Sequence, residues 1–220
     1  MRTCAIMQPS YLPWLGYFDL IRKADVFVFL DHVQFRKQTW HQRNRIRDRN
    51  GELLLTIPVK HVGLKEGLVN NIQIDRTKLP MTKHLKSIQL NYSRSINYEV
   101  IIGELSDIYS REYELLIDLN LELIKFGCRK LKLNQNFVLS SALEPQGGRV
   151  QALVDICQKV GANHYVSPVG AQAYLGEAAN FEENEIRISY QSFVHPVYQQ
   201  INFNDFISHL SFIDYLFNCR

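Results

Sequence analysis

Short apolar runs bounded by polar residues and turn formers open the chain. Residues 3–7 (TCAIM) read as a short buried strand that stops at Gln8-Pro9. Over 15–24 (LGYFDLIRKA), Leu15, Phe18 and either Leu20 or Ile21 recur at helical spacing. Asp25 then introduces VFVFL at 26–30, a β-branched and aromatic run of the kind a strand covered on both faces carries. Strand, helix and strand within about 30 residues make a βαβ unit, which implies parallel pairing. Residues 53–58 (LLLTIP) and 69–74 (VNNIQI) read as further strands, with 61–67 as a loop between them. From about 78 to 127 the pattern turns helical. Leu115, Leu116, Leu119, Leu123 and Phe126 form one stripe, and Gly127 stands where a C-cap belongs. Short strands are expected at 136–139, 164–167 and 186–190, an amphipathic helix at 149–160 ending at Gly161, and a last helix at 205–217. The fold class is therefore α/β, a partly parallel sheet beginning with a βαβ unit, with a mostly helical middle and C-terminal segment. A single domain over 1–220 is expected, with 78–127 as a helical subregion.

Composition narrows the picture. The 46% hydrophobic content excludes a disordered chain. The net charge of +3 is too small to mark the whole chain as a polyanion binder. It is unevenly distributed, however. Residues 36–49 hold six Lys/Arg against one acid, a local balance of +5 that leaves −2 for the remainder. Cys4, Cys128, Cys157 and Cys219 are scattered without a CxxC pair, so a reduced, cytoplasmic setting is expected and no metal site. The start is not a signal peptide, and no run approaches the length of a membrane span.

Candidate chemistry gathers where strands end. Residues 8–17 (QPSYLPWLGY) lie between the first strand and first helix, at the edge where open α/β sheets bind ligands. Two prolines stiffen this loop, and Tyr11, Trp14 and Tyr17 bring flat rings with polar tips. Asp31 and Gln34 follow the second strand. A carboxylate there orients a substrate or acts as a base, or else caps the next turn. In the basic stretch, Arg43 and Arg45 suit phosphate and Trp40 suits stacking, although a solvated basic face uses the same residues. Later, 165–170 (YVSPVG) reads as strand end and turn, with Ser167, Gln172 and Tyr174 in or after it. His195 heads HPVYQQ, with Tyr198 and Gln199 beside it, and is a candidate general acid/base. Cys128 follows Gly127 at a helix end, a place that disfavours a thiolate nucleophile.

Two resemblances add to this reading. Trp14-Leu15-Gly16-Tyr17 stands where nucleotidylyltransferase-like folds carry His-x-Gly-His, with both histidines replaced, and ADVFVFLDHVQF is similar to pantothenate synthetases. More extensively, AIMQPSYLPWLGYFDLI, ADVFVFLDHVQF, Trp40 with RNRI at 43–46, Ile57-Pro58-Val59, YVSPVGAQAYL, HPVYQQ and LSFIDYLF resemble the WbqC-like protein family. Gln42 departs from that family's WxNRN pattern, in which Asn is expected.

The WbqC-like resemblance implies acyl or aminoacyl transfer, often glycyl, to the amino group of a nucleotide-linked amino sugar in bacterial surface-polysaccharide (O-antigen) biosynthesis. The donor would be a thioester on coenzyme A or on the phosphopantetheine of a carrier protein, with no tightly bound cofactor. On that reading His195 or Asp31 is the base. Gln8, Gln34 or Asn44 donates to the oxyanion, Arg43 and Arg45 hold a diphosphate, and Tyr11 or Trp14 lies against a base or sugar. Nucleic acid is not an expected partner. Two alternatives remain open at the level of sequence. One is an ATP-dependent ligase on a nucleotidylyltransferase-like scaffold. The other is a non-catalytic protein that binds a phosphorylated sugar or RNA.

Overall fold

A computed structural model describes residues 1–60, 67–134, 136–168, 170, 179–201 and 205–219, with backbone alone for 179 and 180. In chain order its elements are β1 (Thr3–Met7), α1 (Leu15–Lys23), β2 (Val26–Phe29), β3 (Arg43–Asp48), β4 (Gly51–Thr56), α2 (Pro80–Tyr92), α3 (Tyr98–Ser110), α4 (Leu116–Lys130), β5 (Asn136–Leu139), α5 (Ser140–Leu143), α6 (Arg149–Lys159), β6 (His164–Ser167), α7 (Ala179–Glu182), β7 (Arg187–Tyr190) and α8 (Phe212–Asn218). The chain divides into two compact units. One comprises Met1–Gln8, Gly16–Val33 and Lys132–Val194, and the other Pro9–Leu15, Gln34–Leu131 and His195–Arg220.

The first unit is built on a five-stranded sheet in the order β5-β2-β1-β6-β7, with every pairing parallel. The expected β1-α1-β2 start is present. All four residues of β2 are buried, as its unbroken apolar run requires of a strand covered on both faces. Cys4, Ile6, Val26 and Val28 pack with Val154, Ile156 and Cys157 of α6 and with Phe181. Gly161 ends α6 at φ +67, a left-handed conformation that a side chain would strain. Because all strands run one way, their carboxyl ends lie along a single edge. Gln8, Asp31, Ser140, Ser167 and Gln191 stand there at or just beyond β1, β2, β5, β6 and β7.

The second unit joins an antiparallel hairpin to the helices α2, α3, α4 and α8. In the hairpin Arg43 pairs with Thr56 and Asp48 with Gly51. Residues 43–48 of the basic stretch thus form strand β3. The strand expected at 53–58 is instead 51–56, its partner. Residues 69–74 form a short 3-10 turn at Val69–Asn71 flanked by isolated bridges, because Val59, Ile74, Gln73 and Leu115 pair singly rather than in a ladder. The helical middle breaks into three helices. The α4 stripe is buried at Leu116, Leu119, Leu123 and Phe126 as its spacing requires. Gly127 lies buried inside α4, which runs on to Lys130. The last helix is shorter than its apolar pattern suggests and begins only at Phe212, where Ser211 Oγ accepts the Ile213 N–H. Tyr92 of α2 stacks on Phe217 of α8, with centroids 4.6 Å apart. Residues 61–66 of the loop read at 61–67, and Val169, Gln172 and Tyr174 of YVSPVGAQAYL, lie outside the described residues.

Candidate functional site

In the second unit, the residues on either side of Trp14 and Ser211 converge. Trp14 and Ser211 form an isolated bridge, the Phe212 N–H donates to the Pro13 carbonyl, and the Ser211 N–H donates to Arg45 O. This brings Trp14 to the histidines that follow in the chain. Its ring lies 6.4 Å from His195, with planes 10° apart, and 4.9 Å from His209. His195 is 5.1 Å from His209, 5.8 Å from Phe206 and 6.2 Å from Tyr198. The result is a partly exposed cluster of five rings, two of them imidazoles. Val194 and Val197, either side of His195, are 88% and 80% exposed. His209 is held at φ +59, a strained conformation for a residue with a side chain.

Burial lowers the pKa of His195, and the neighbouring His209 lowers it further, so the ring is neutral at pH 7. Its Nδ1 faces the Pro196 carbonyl at 2.9 Å, and its Nε2 is buried. Beneath it, Tyr198 donates to Asp214 Oδ2 at 2.7 Å. Tyr92 and Gln200 also donate to this carboxylate, at 2.7 and 2.9 Å. Asp214 is wholly buried, which raises its pKa, while the three donors lower it. The carboxylate fixes Tyr198, and Tyr198 in turn supports His195.

The other aromatic residues of the first loop take different places. Tyr11 is fully buried and its hydroxyl lies 2.8 Å from His84 Nδ1 and 2.6 Å from Tyr109 Oη. In the first unit Tyr17 is also buried, with its ring against Phe27 and its hydroxyl donating to Gln8 O. Both rings are core, so Trp14 is the member of the trio that reaches a surface. Asn44 donates to Leu12 O at 2.7 Å and accepts from Arg45 N. Gln42 likewise donates to Ile57 O and accepts from Gln38 N. Its extra methylene therefore serves a backbone contact.

The basic segment divides its charges. Arg47 is buried and pairs with Asp205. Arg45 holds Glu52 through Nη1 and lies 5.5 Å over the face of Trp40, which is half exposed. Arg43 is half-buried one pleat away on the same face of β3. Gln34 bridges Leu68 in this unit, and Gln199 is exposed beside Tyr198.

In the first unit, Asp31 is 1% exposed and its carboxylate is engaged by Ser140 and Ser141 at the start of α5. It caps a distant helical turn and not the turn that follows it. His32 Nδ1 lies 2.6 Å from Ser140 Oγ. Ser167 is fully buried at the end of β6. Gln191 donates to Gly16 O and Asp19 Oδ2, which fixes the start of α1.

Sequence reasoning passed over His209, Phe206, His32 and the Ser140-Ser141 pair. The readable signal for the serines was position, two hydroxyls directly after a strand of the parallel sheet. Nothing local marked His209, whose place depends on the Trp14–Ser211 bridge. Among the described residues no group of three or more His, Cys, Asp or Glu is placed to hold a metal. Cys128 is buried, which pushes its thiol up to about 12. No helix among the described residues is long and apolar enough to cross a membrane.

The comparisons with known proteins cover nearly the whole chain. "Uncharacterized protein Rv1507c" of Mycobacterium tuberculosis is 32% identical over 220 residues, covering 99% of this chain and 94% of that protein. No solved structure gives a significant match. The model of the WbqC-like protein family matches residues 8–220, the span that carries the ring cluster, the hairpin and the sheet edge, and the chain belongs to that family.

Proposed function

We propose that the protein is an acyl or aminoacyl transferase, glycyl transfer included, acting on the amino group of a nucleotide-linked amino sugar in bacterial surface-polysaccharide biosynthesis, with a thioester on coenzyme A or a carrier protein as donor. The observation that carries the reading is the ring cluster of Trp14, His195, His209, Phe206 and Tyr198. Its faces suit a sugar or nucleobase, and its neutral His195 adds no positive charge to repel the substrate ammonium. Trp40 and Arg45 on the hairpin supply a stacking face and a guanidinium for a base and diphosphate. The nitrogen attacks the thioester carbonyl, the C–N bond forms, the C–S bond breaks and the thiol departs.

The test is incubation with nucleotide-linked amino sugars and an acyl- or aminoacyl-thioester, read by mass spectrometry. The expected product is the sugar carrying one acyl group. Trp14→Ala and His195→Ala are expected to raise KM by about 10- to 100-fold, the loss of one stacking contact each. AMP release from ATP during turnover would instead favour a ligase. Failure of every thioester, with retained binding of the sugar nucleotide, would leave a binding protein.

A further inference from the structure

Helix α2 presents an outer side that neither the ring cluster nor the hairpin uses. From Arg76 to Tyr98 the chain holds Arg76, Lys78, Lys83, Lys86 and Arg94 and no acid. Arg76 and Lys78 pair with Glu112 and Asp75. Lys83, Lys86 and Arg94 are exposed and pair with no carboxylate among the described residues. On α2 the buried residues His84, Ile88 and Tyr92 mark the inner side. At about 100° per residue, Lys83, Lys86 and Leu90 fall on the opposite one. Leu90 is 81% exposed, and Leu79 before the helix and Ile96 after it are 62% and 55% exposed. The stripe ends at Glu99, the first acid after the run.

Unpaired cations around protruding aliphatic side chains select a partner that is anionic and apolar at once. An acidic protein and an anionic bilayer both meet that description, and size decides between them. A helix of 13 residues is about 20 Å long and about 10 Å wide, so its outer stripe offers about 200 Å². A stable protein interface takes about 800 Å² from each partner. A bilayer sets no such floor. Each cation near its anionic surface and each apolar side chain in its headgroup layer adds a separate share.

We infer that the outer stripe of α2 is a docking surface for an anionic bilayer, with Lys83, Lys86 and Arg94 on lipid phosphates and Leu79, Leu90 and Ile96 in the headgroup layer. The helix lies on the bilayer and does not span it. Docking is reversible, since three cations and three aliphatic side chains fall short of a permanent anchor. The inner side of the same helix carries Tyr92, which donates to Asp214, the carboxylate that also holds Tyr198 of the ring cluster. The inference is independent of the transferase reading and adds to it a place of work, at a lipid surface.

The experiment is co-sedimentation of the full chain with vesicles of phosphatidylglycerol and phosphatidylcholine in equal parts, and with vesicles of phosphatidylcholine alone. Binding to the mixed vesicles is expected, weakening as salt is added, with the neutral vesicles about 100-fold poorer. Lys83→Gln combined with Lys86→Gln is expected to lower partition about 25-fold, about 5-fold for each cation lost. Leu90→Ser is expected to lower it about 10-fold. All three side chains are exposed, so the variants should keep the wild-type thermal midpoint. Lys37→Gln combined with Arg49→Gln, in the other basic stretch, is expected to stay within about 2-fold. Equal binding to both kinds of vesicle, or wild-type partition in either α2 variant, overturns the inference. An equal loss in the Lys37 and Arg49 variant moves the contact to the other stretch and overturns it as well. No binding to the mixed vesicles overturns it and leaves the stripe to an acidic protein.

Discussion

Leu12 sits at φ +43, and this irregular turn leaves carbonyls that no helix or strand satisfies. Asn44 is the answer to them. It is 4% exposed and donates to Leu12 O while accepting from Arg45 N. Asn44→Ala would strand buried carbonyls, so the expected cost is about 2–3 kcal/mol, read as a lower denaturant midpoint with an unchanged slope. In the sequence the same amide stood among arginines and read as an oxyanion donor. Residue type gives the chemistry a side chain can do, but whether it meets water or backbone is set by a partner 32 positions away. Tyr11 and Tyr17 illustrate the same limit. Their flat faces were legible, whereas the hydroxyl partners that draw them into the core belong to distant helices or to backbone. Trp14 and His195 were both singled out from sequence, but their meeting depends on a bridge to Ser211 that no local pattern announces.

At the level of elements, strands buried on both faces announce themselves, because burial demands an unbroken apolar run. β2 was legible for that reason, and β1, β5, β6 and β7 as short runs between turn formers, the edge strands β5 and β7 being only partly buried, and with them the carboxyl edge. The first strand of the hairpin was not, since β3 sets Arg43, Arg45 and the buried Arg47 on one face and Asn44 and Ile46 on the other, an alternation with a single apolar residue. On the arginine face Arg45 meets Glu52 across the pair. An exposed pair of this kind contributes little, so Glu52→Gln is expected to change stability by less than about 1 kcal/mol. The same change frees the Arg45 guanidinium beside Trp40. Calorimetry with a nucleoside diphosphate should therefore show a few-fold tighter Kd in Glu52→Gln and a weaker one in Trp40→Ala. An unchanged Kd in both would remove the hairpin from the phosphate-binding role.

Across the whole molecule, the chain builds two units from interleaved segments, which sequence periodicity does not reveal because periodicity reports local faces and not which faces meet. Two buried histidines of the second unit, His41 and His84, set its response to acid. His41 and His84 are desolvated, which lowers each from the ordinary imidazole value to about 4. In the unfolded chain both titrate near 6.5. Between these values the unfolded chain holds protons that the folded one refuses, so stability falls as pH falls from about 6.5 to about 4 and levels off below. Each histidine accounts for up to about 3 kcal/mol of that loss. Asp214 acts in the opposite sense, since burial raises its pKa and protonation on the way down relieves a buried charge. Because its folded pKa lies above the ordinary carboxylate value of 3.8, this gain opposes the histidine loss as the pH falls. Urea unfolding across pH 7 to 4 should show the midpoint falling below about pH 6.5, as the unfolded chain takes up protons that the folded one refuses. His84→Gln, which keeps a polar group beside Tyr11, should flatten that slope. A midpoint independent of pH in this range would mean that both imidazoles are charged in the folded protein.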